Sequence, residues 1–484
     1  MGTYEGETLY LNGKWSMPSS GHIFEATNPA TGEVLGQVGD AGSIDAEQAV
    51  EAAVAAFPDW AGRTAYERSD ALLRAHRLMT ERSEDLARLM TLEQGKPLRA
   101  ARNEVKYAAD FLLWFGEEAK RVYGSTIPAP RADQRFTVLR QPVGVVAAIT
   151  PWNYPISMIT RKVGPAVAAG CSVILRPAEQ TPLCAVETFR VFEDAGFPPG
   201  VVNLLTTSSP AEVGSVLLDS HAVRKLTFTG STEVGKMLAA RAATTMKRVS
   251  LELGGHAPFI VFDDADPARA AKGLALVKFL NTGQACISPN RIYVQRRLLN
   301  PFLETLGKRV QALKPGNGLE EGVTIGPLID DDAMAKMERQ VSDAVAKGAE
   351  VLVGGERLTT GSLSSGRFYA PTVLTGVTDG MDIYREETFG PIAPVIPFDD
   401  EDEIVARANA SSYGLASYIY TNDLNRATRV SEALRFGIVG INDINPTAAA
   451  APFGGTKESG LGREGGLQGL DEYLDTKLIG LALQ

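Results

Sequence analysis

The chain begins with helical patterning and then alternates between strands and helices. Apolar residues recur every three or four positions over residues 45–57, 67–92 and about 99–122, which predicts three amphipathic helices. Beyond them, short apolar runs alternate with further helical patterns. The predicted strands are 136–139, 143–149, 172–175, 201–205, 225–228, 247–253, 258–262, 291–294, 350–353, 393–398 and 418–420, and the helices among them are 183–195, 211–218, 266–280, 331–347 and 401–408. This alternation predicts an α/β fold with parallel sheets covered by helices.

Two stretches lie outside this alternation. The predicted strands within about 123–143 and 471–484 have no partner strand near them in the sequence. An exposed strand edge tends to pair with another chain, so these stretches are candidates for subunit association. A length of 484 residues predicts about two to four domains, and the pattern divides them into two α/β units and one small arm.

Composition and charge exclude several classes of protein. The net charge of -10 argues against nucleic acid or an anionic membrane as the main partner, because both require a basic surface. No apolar run reaches the roughly 20 residues needed to span a bilayer, and the acidic N-terminal stretch does not resemble a secretory or mitochondrial signal. The three cysteines lie far apart without CxxC spacing, which favours a reducing, cytoplasmic location.

One of the three cysteines, Cys286, has surroundings that suit a reactive thiol. Cys286 follows a predicted helix within Asn-Thr-Gly-Gln-Ala-Cys, a polar loop in which a thiol can be reached and deprotonated. Cys171 and Cys184 have apolar neighbours and resemble inert packing residues. Taken alone, a loop cysteine is also compatible with a purely structural role.

Two further segments carry acid-base or hydrogen-bonding candidates. Glu252 lies in an otherwise apolar strand before two glycines, where burial would raise its pKa and suit a general base, although a salt bridge is the alternative. His256 is a further candidate base, with a structural role as the alternative. Asn153, between two prolines, is either a rigidly held oxyanion donor or part of a stiff turn.

The segment Phe-Thr-Gly-Ser-Thr-Glu-Val-Gly, residues 228–235, combines a strand, a glycine turn and a helix start. This arrangement presents backbone N–H groups to a phosphate, although it departs from the GxGxxG fingerprint and is also compatible with a simple tight turn. No histidine, cysteine or carboxylate cluster shows the spacing of metal ligands, so no metal is predicted.

Taken in order, these motifs resemble the aldehyde dehydrogenase superfamily over essentially the whole chain. The matching segments are Asn-Pro-Ala-Thr-Gly at 28–32, Glu-Gln-Gly-Lys at 93–96, Thr-Pro-Trp-Asn at 150–153, Phe-Thr-Gly-Ser at 228–231, Leu-Glu-Leu-Gly-Gly at 251–255, Gly-Gln-Ala-Cys at 283–286, Glu-Thr-Phe-Gly-Pro at 387–391 and Pro-Phe-Gly-Gly at 452–455. Segments at 159–165, 259–266, 324–330 and 460–465 are most similar to the succinate-semialdehyde dehydrogenase branch.

The resemblance implies a three-part architecture. A Rossmann-type NAD(P) domain is expected at 1–122 and 144–253, an α/β catalytic domain at 254–454, and a small β oligomerisation arm at 123–143 and 455–484. A homodimer or homotetramer is expected.

The resemblance also implies a mechanism. Cys286 would attack the aldehyde carbonyl as a thiolate, with Asn153 and the Cys286 backbone N–H stabilising the oxyanion. After hydride transfer, Glu252 would activate the water that hydrolyses the resulting thioester.

For the cofactor, the resemblance implies contacts from eight residues: Trp152, Arg176, Glu179, Gly230, Ser231, Leu253, Glu387 and Phe389. Glu179 can accept a hydrogen bond from a ribose 2′-hydroxyl and repels a 2′-phosphate, whereas the Arg176 guanidinium matches a phosphate. We therefore expect NAD to be preferred, with NADP also used.

For the substrate, Arg161 and Arg291 match positions that resemble carboxylate-binding arginines, and Thr447 falls where that branch often has a serine donor. Each arginine has an ordinary salt bridge as its alternative role. The expected substrate is succinate semialdehyde. Glutarate semialdehyde, 2-oxoglutarate semialdehyde and a sulfonated aldehyde are its rivals, since arginine binds any compact anion.

Three alternative functions differ in which of these residues they require. A cofactor-independent thiol esterase would use Cys286 and Glu252 alone, and a silent scaffold would not need the intact set of Asn153, Glu252 and Cys286. Acyl release to coenzyme A is disfavoured because Glu252 is present to activate water. Ser288 stands where some relatives have a second cysteine, so no vicinal disulfide is available.

Overall fold

A computed structural model describes residues 4–484. Its strands are β1 Leu9–Leu11, β2 Lys14–Ser16, β3 Ile23–Thr27, β4 Val34–Gly39, β5 Ser125–Ile127, β6 Gln134–Pro142, β7 Val145–Ile149, β8 Ser172–Arg176, β9 Val202–Leu204, β10 Val223–Thr229, β11 Arg248–Glu252, β12 Ala257–Val261, β13 Pro289–Gln295, β14 Glu350–Val353, β15 Thr372–Thr375, β16 Ile392–Phe398, β17 Ala416–Tyr420, β18 Ile438–Ile441, β19 Gly460–Leu461 and β20 Leu474–Ala482.

The helices separate these strands along the chain. They are α1 Ser43–Gly62, α2 Ala65–Glu81, α3 Ser83–Gln94, α4 Leu98–Glu118, α5 Ser157–Ala169, α6 Pro182–Asp194, α7 Pro210–Asp219, α8 Thr232–Ala243, α9 Pro267–Lys278, α10 Leu299–Gln311, α11 Asp331–Ala346, α12 Asp382–Arg385, α13 Glu401–Asn409, α14 Leu424–Ala433 and α15 Gly466–Asp471. The single helix predicted over 67–92 is wrong, because the chain breaks at Arg82 into α2 and α3.

Two large sheets organise the chain. The first has eight strands in the order β19-β11-β10-β7-β8-β9-β1-β2, and its five central strands run parallel. The second has seven strands in the order β14-β15-β16-β13-β12-β17-β18, all parallel except β14. The α/β class expected from the sequence is confirmed.

Each large sheet is covered on both faces. Along β7 and β8, successive side chains enter two different apolar clusters, with Val146 and Val173 on one face and Ala147 and Ile174 on the other. The second sheet shows the same alternation along β12. Burial on both faces explains why these strands read as continuous apolar runs in the sequence.

A separate three-stranded sheet, with the order β20-β6-β5, contains the two stretches that lacked partners in the sequence. β20 pairs with β6 along its whole length, from Leu474 opposite Pro142 to Ala482 opposite Gln134. Not all of 455–484 belongs to this sheet, because β19 pairs with β11 at the edge of the first large sheet.

None of the helices within residues 4–484 is both long and apolar enough to cross a membrane.

Candidate active site

The predicted site residues gather where the parallel strands of the first sheet end. Trp152 and Asn153 follow β7, Arg176 closes β8, and Glu252 closes β11. The strand registers align these ends, since Ile149 lies opposite Arg176 and Thr229 opposite Glu252. Ligands of open α/β sheets bind at the carboxyl ends of their strands, so the topology brings the distant motifs together.

Two cavities, each of about 320 Å³, meet at Cys286. The first cavity adjoins the first sheet and is lined by Trp152, Asn153, Gly230, Ser231, Glu252, Leu253, Glu387 and Phe389, among others. The second cavity is lined by residues of α4, α5 and α9 and by the loop at 444–447, with Tyr107, Tyr154, Arg161, Thr447 and Phe453 among them. The Cys286 thiol is thus accessible from both cavities.

Glu252 is a buried carboxylate on the wall of the first cavity. Neither of its oxygens accepts a hydrogen bond from within residues 4–484. Burial raises its pKa to about 7, with a smaller opposing effect from Arg161. A carboxyl group that titrates near neutrality on a cavity wall is able to exchange protons with a neighbouring thiol, a water molecule or a ligand.

The Cys286 thiol interacts with this carboxyl group. Burial raises the pKa of Cys286 well above its ordinary value, the Glu252 charge raises it further, and Arg161 lowers it. Gly255 allows the chain to pass close to the cysteine, because a Cβ there would lie 2.3 Å from the Cys286 carbonyl oxygen. Among residues 4–484, no acceptor is found for the Cys286 backbone N–H.

Asn153 is held on several sides. Its backbone carbonyl accepts hydrogen bonds from Lys96 Nζ at 2.7 Å and Asn281 Nδ2 at 2.9 Å. Its side-chain Oδ1 accepts from the Tyr154 N–H, and its Nδ2 donates to the Gln284 carbonyl at 3.1 Å. The amide therefore has a fixed orientation and one remaining Nδ2 hydrogen at the first cavity.

Sequence reasoning missed the buried pair that supports Asn153. Lys96 forms an ion pair with Glu104, and both side chains are essentially inaccessible. Glu104 also accepts hydrogen bonds from the backbone N–H groups of Ile156 and Ser157 at the start of α5. The motif at 93–96 is visible in the sequence. Glu104, the ion-pair partner of Lys96, lies on α4, and no spacing in the sequence links this pair to Asn153.

The first cavity has features that suit a dinucleotide. Ser231 caps α8 by accepting the Val234 N–H, and Gly230 precedes it, so backbone donors and the positive helix end face the cavity. The buried hydroxyls of Thr229 and Thr388 have no partner within residues 4–484. Gly235 leaves space for Leu253, because a Cβ at Gly235 would lie 2.3 Å from that side chain.

Glu387 and Phe389 close the other side of the first cavity. Glu387 accepts the Gly255 N–H at 2.8 Å, and burial raises its pKa to about 7. Phe389 adopts a positive φ of 53° and meets the Trp152 ring edge-on, with centroids 5.6 Å apart. These side chains and the cap at Ser231 form a set of donors, acceptors and aromatic faces that a ribose and a nicotinamide would fit.

Arg176 and Glu179 lie outside the residues that line the first cavity and form an ion pair, with Arg176 Nη2 2.6 Å from Glu179 Oε2. Arg176 is largely buried, whereas Glu179 is partly exposed. Each side chain thus neutralises its neighbour at the carboxyl end of β8.

The structure places Arg291, a predicted substrate-binding residue, away from the second cavity. Its side chain is 1% exposed and donates hydrogen bonds to the carbonyls of His256, Arg407 and Ala408, and it does not line the second cavity. Alternation along β13 places it on the same face as Tyr293, opposite the core cluster that contains Cys286.

The surroundings of His256 suit a structural role. Its Nε2 lies 2.7 Å from the Tyr384 carbonyl, and burial lowers its pKa well below the ordinary value. It lines neither of the two cavities, in agreement with the structural alternative.

Arg161 and Thr447 both line the second cavity. The Arg161 guanidinium stacks over the Phe453 ring, 4.1 Å from its centroid. Tyr107 interacts with both residues: burial raises the pKa of the Tyr107 phenol, while Arg161 and a hydrogen bond with Thr447 lower it. Tyr107 was missed because it lies on α4, within an ordinary amphipathic pattern.

No group of three or more metal-binding side chains occurs between residues 4 and 484.

Comparison with known proteins identifies the family. The model of the aldehyde dehydrogenase family matches residues 15–479, and the chain belongs to this family. A 3-sulfolactaldehyde dehydrogenase from Pseudomonas putida is 52% identical over 98% of this chain and 96% of its own. A glutarate-semialdehyde dehydrogenase from Pseudomonas putida KT2440 is 51% identical over 98% and 97%.

Two Escherichia coli proteins are similar to a comparable degree. A succinate-semialdehyde dehydrogenase [NADP(+)] from strain K12 is 50% identical over 98% of this chain and 97% of its own. The solved structure of an NADP-dependent E. coli enzyme is 49% identical, with a TM-score of 0.97 over 99% of this chain and 98% of the other. The expected aldehyde dehydrogenase fold is thus confirmed, and the chain is an NAD(P)-dependent aldehyde dehydrogenase.

Proposed function

We propose that this enzyme oxidises a small acidic aldehyde to the corresponding acid, with succinate semialdehyde as the first candidate. The observation that carries the proposal is the Arg161 guanidinium in a largely apolar cavity that opens onto Cys286. A charge-assisted pair with arginine would hold the acidic tail, while Tyr107 and Thr447 offer hydroxyl groups beside it. Relatives named for sulfolactaldehyde, glutarate semialdehyde and succinate semialdehyde support the class of substrate.

In the proposed reaction the aldehyde enters by the second cavity. Cys286 attacks the carbonyl carbon as a thiolate, and the oxyanion accepts hydrogen bonds from Asn153 Nδ2 and the Cys286 N–H. Trp152, Ser231, Glu387 and Phe389 of the first cavity would hold NAD(P), whose nicotinamide would accept the hydride that the thiohemiacetal carbon loses as it becomes a thioester. Glu252 then takes a proton from the water that attacks the Cys286 thioester, and the acid leaves with the thiol restored.

A substrate panel and an Arg161→Met variant test this proposal. We expect succinate semialdehyde, glutarate semialdehyde and sulfolactaldehyde to be oxidised at least about tenfold more efficiently than hexanal or benzaldehyde, measured as kcat/KM from NADH formation. Loss of a hydrogen bond to a charged group costs about 1.5–3 kcal/mol. Arg161→Met should therefore lower kcat/KM for the acids by about 10- to 100-fold, with a smaller effect on neutral aldehydes.

Arg291→Met is the matched control for that experiment. It removes a guanidinium that faces carbonyl groups away from the second cavity, so it should lower stability without changing the ratio of acidic to neutral turnover. If hexanal or benzaldehyde were the better substrate of the unaltered enzyme, the proposed function would be wrong.

For the cofactor, we propose a preference for NAD with some use of NADP. The Arg176–Glu179 ion pair supports it, because Glu179 neutralises the arginine and repels a 2′-phosphate. The NADP-dependent relatives argue for a modest preference rather than a strict one.

Replacing Glu179 by Gln is expected to shift this preference. The change leaves Arg176 without its partner carboxylate and free to contact a 2′-phosphate. The ratio of kcat/KM for NADP to that for NAD should rise about tenfold, equivalent to about 1.4 kcal/mol. Arg176→Gln should move the ratio in the opposite direction, and an unchanged ratio in both variants would show that another part of the site sets the preference.

We also propose that the three-stranded sheet joins protomers into a homodimer or homotetramer. Ile127, Leu139, Leu478, Ile479 and Leu481 are exposed large apolar side chains on this sheet. Apolar residues grouped on an exposed sheet are typical of an interaction surface.

A further inference from the structure

Glu464 is a buried carboxylate between two cations of α5. Its Oε2 accepts a hydrogen bond from Arg161 Nε at 2.9 Å, and its Oε1 pairs with Lys162 Nζ. All three side chains are at most 7% exposed. Burial raises the pKa of Glu464, but Lys162 and Arg161 outweigh this effect and hold the pKa below its ordinary value, so the group is ionised.

The two residues that orient Arg161, Glu464 and Phe453, are joined to each other by a β-bridge between their backbones. Glu464 and Phe453 exchange backbone hydrogen bonds of 2.7 and 2.6 Å. Through this bridge, the Glu464 carboxylate reaches the Nε edge of the guanidinium and the Phe453 ring lies against its face. Arg161 Nη2 also lies 2.8 Å from Glu464 Oε2 within this ion pair. Among residues 4–484, no hydrogen bond from Arg161 Nη1 is found beside the one from Nε, so Nη1 is the nitrogen left for a ligand in the second cavity.

The charges of this group sum to one positive unit. Arg161 and Lys162 contribute two positive charges and Glu464 one negative charge. The Lys96–Glu104 pair, also at the second cavity, is neutral. A desolvated site with a single net charge is best compensated by a ligand with one charge of the opposite sign.

We infer that Glu464 determines substrate specificity as a positioning residue, by holding Arg161 so that the second cavity selects an aldehyde with a singly charged anionic tail, carboxylate or sulfonate. The inference rests on the proposed function and adds a residue that acts through Arg161. Glu464 does not itself line the second cavity.

The test compares succinate semialdehyde with the methyl ester of the same molecule, which has no charge. In Glu464→Gln, we expect KM for the acid to rise about tenfold or more and the acid-to-ester ratio of kcat/KM to fall by a similar factor. In an Arg161→Met background, the same substitution should leave that ratio within about twofold, because the effect passes through Arg161. An unchanged ratio in the single variant, or an equal fall in both backgrounds, would overturn the inference.

Two further variants guard against a merely structural effect. Glu472→Gln alters another carboxylate of the C-terminal segment, which contacts Lys225 and Ser250 instead, and should leave the ratio unchanged. Phe453→Leu removes the aromatic face from Arg161 but retains the Glu464 ion pair, and it should lower the acid-to-ester ratio about threefold. This variant remains informative even if Glu464→Gln does not fold. An unchanged ratio in Phe453→Leu would count against the inference.

The same measurements separate this inference from the proposed function. If the unaltered enzyme does not favour the acid over the ester, the proposed function fails and the inference fails with it. If the unaltered enzyme favours the acid and Glu464→Gln retains the full preference, only the inference fails.

Discussion

Replacing Cys286 by Ala is expected to reduce kcat by at least about 10⁴-fold, the scale on which enzymes lose activity when a covalent nucleophile is removed. Cys286 is the one residue that lines both cavities and carries a nucleophilic side chain, within the residues that line them. Without its sulfur no thiohemiacetal forms, and the free aldehyde, unlike the thiohemiacetal, does not expel a hydride. The measurement is NADH formation under saturating substrate and cofactor.

Cys171→Ala and Cys184→Ala are the matched controls. Both cysteines are buried, and burial raises both thiol pKa values. They lie in the core cluster of the first sheet and line neither cavity, so these variants should retain activity and lose only some thermal stability. Turnover by Cys286→Ala within about 100-fold of the unaltered enzyme would rule out the covalent mechanism.

Glu252→Gln is expected to separate the two halves of the reaction. The Glu252 charge raises the pKa of the Cys286 thiol, so a neutral amide does not hinder thiolate formation. The first turnover should therefore release about one equivalent of NADH per site. The thioester should then hydrolyse about 10²- to 10⁴-fold more slowly, the usual contribution of a general base. Stopped-flow absorbance resolves the burst from the slow phase.

The pH dependence supplies an independent test of the same residue. A pKa raised to about 7 means that Glu252 is protonated, and inactive as a base, below that value and ionised above it. Steady-state turnover limited by acyl release should therefore rise as the pH increases through about 7. The rise should disappear in Glu252→Gln. If both phases were lost equally in that variant, Glu252 would not be the base of acyl release.

Much of the fold could be predicted because strands that are buried on both faces appear in the sequence as continuous apolar runs. The central parallel strands of both large sheets are largely buried on both faces and were located from the sequence to within a few residues, whereas the parallel strands β15 and β18 were not predicted. The helix α5 was missed for a related reason: all thirteen of its residues are buried, Arg161 and Lys162 included, so its polar residues do not mark a solvent-exposed face as they do in a surface helix. The strands β1 and β2 have only three residues each, and β3 and β4 are largely exposed, so none of the four shows a continuous apolar run.

The site residues that belong to short sequence motifs could be predicted. Asn153, Glu252 and Cys286 each stand in a distinctive local sequence, and the structure brings them to one place. The placement of Arg291 away from the second cavity could not be predicted, because a sequence does not show which face of a central strand points toward a cavity. Glu464 and Tyr107 could not be assigned because their importance comes from Arg161, more than 50 residues away from either Tyr107 or Glu464 along the chain.

The meeting of the two cavities at a single sulfur has a consequence for inhibition. A compound that fills one cavity leaves the other accessible, so aldehyde mimics and cofactor mimics need not exclude one another. A molecule that joined an anionic tail on one side to a ribose-like group on the other would have to pass the Cys286 thiol. If Arg161 binds the substrate as proposed, selectivity among related dehydrogenases would then come from the anionic tail.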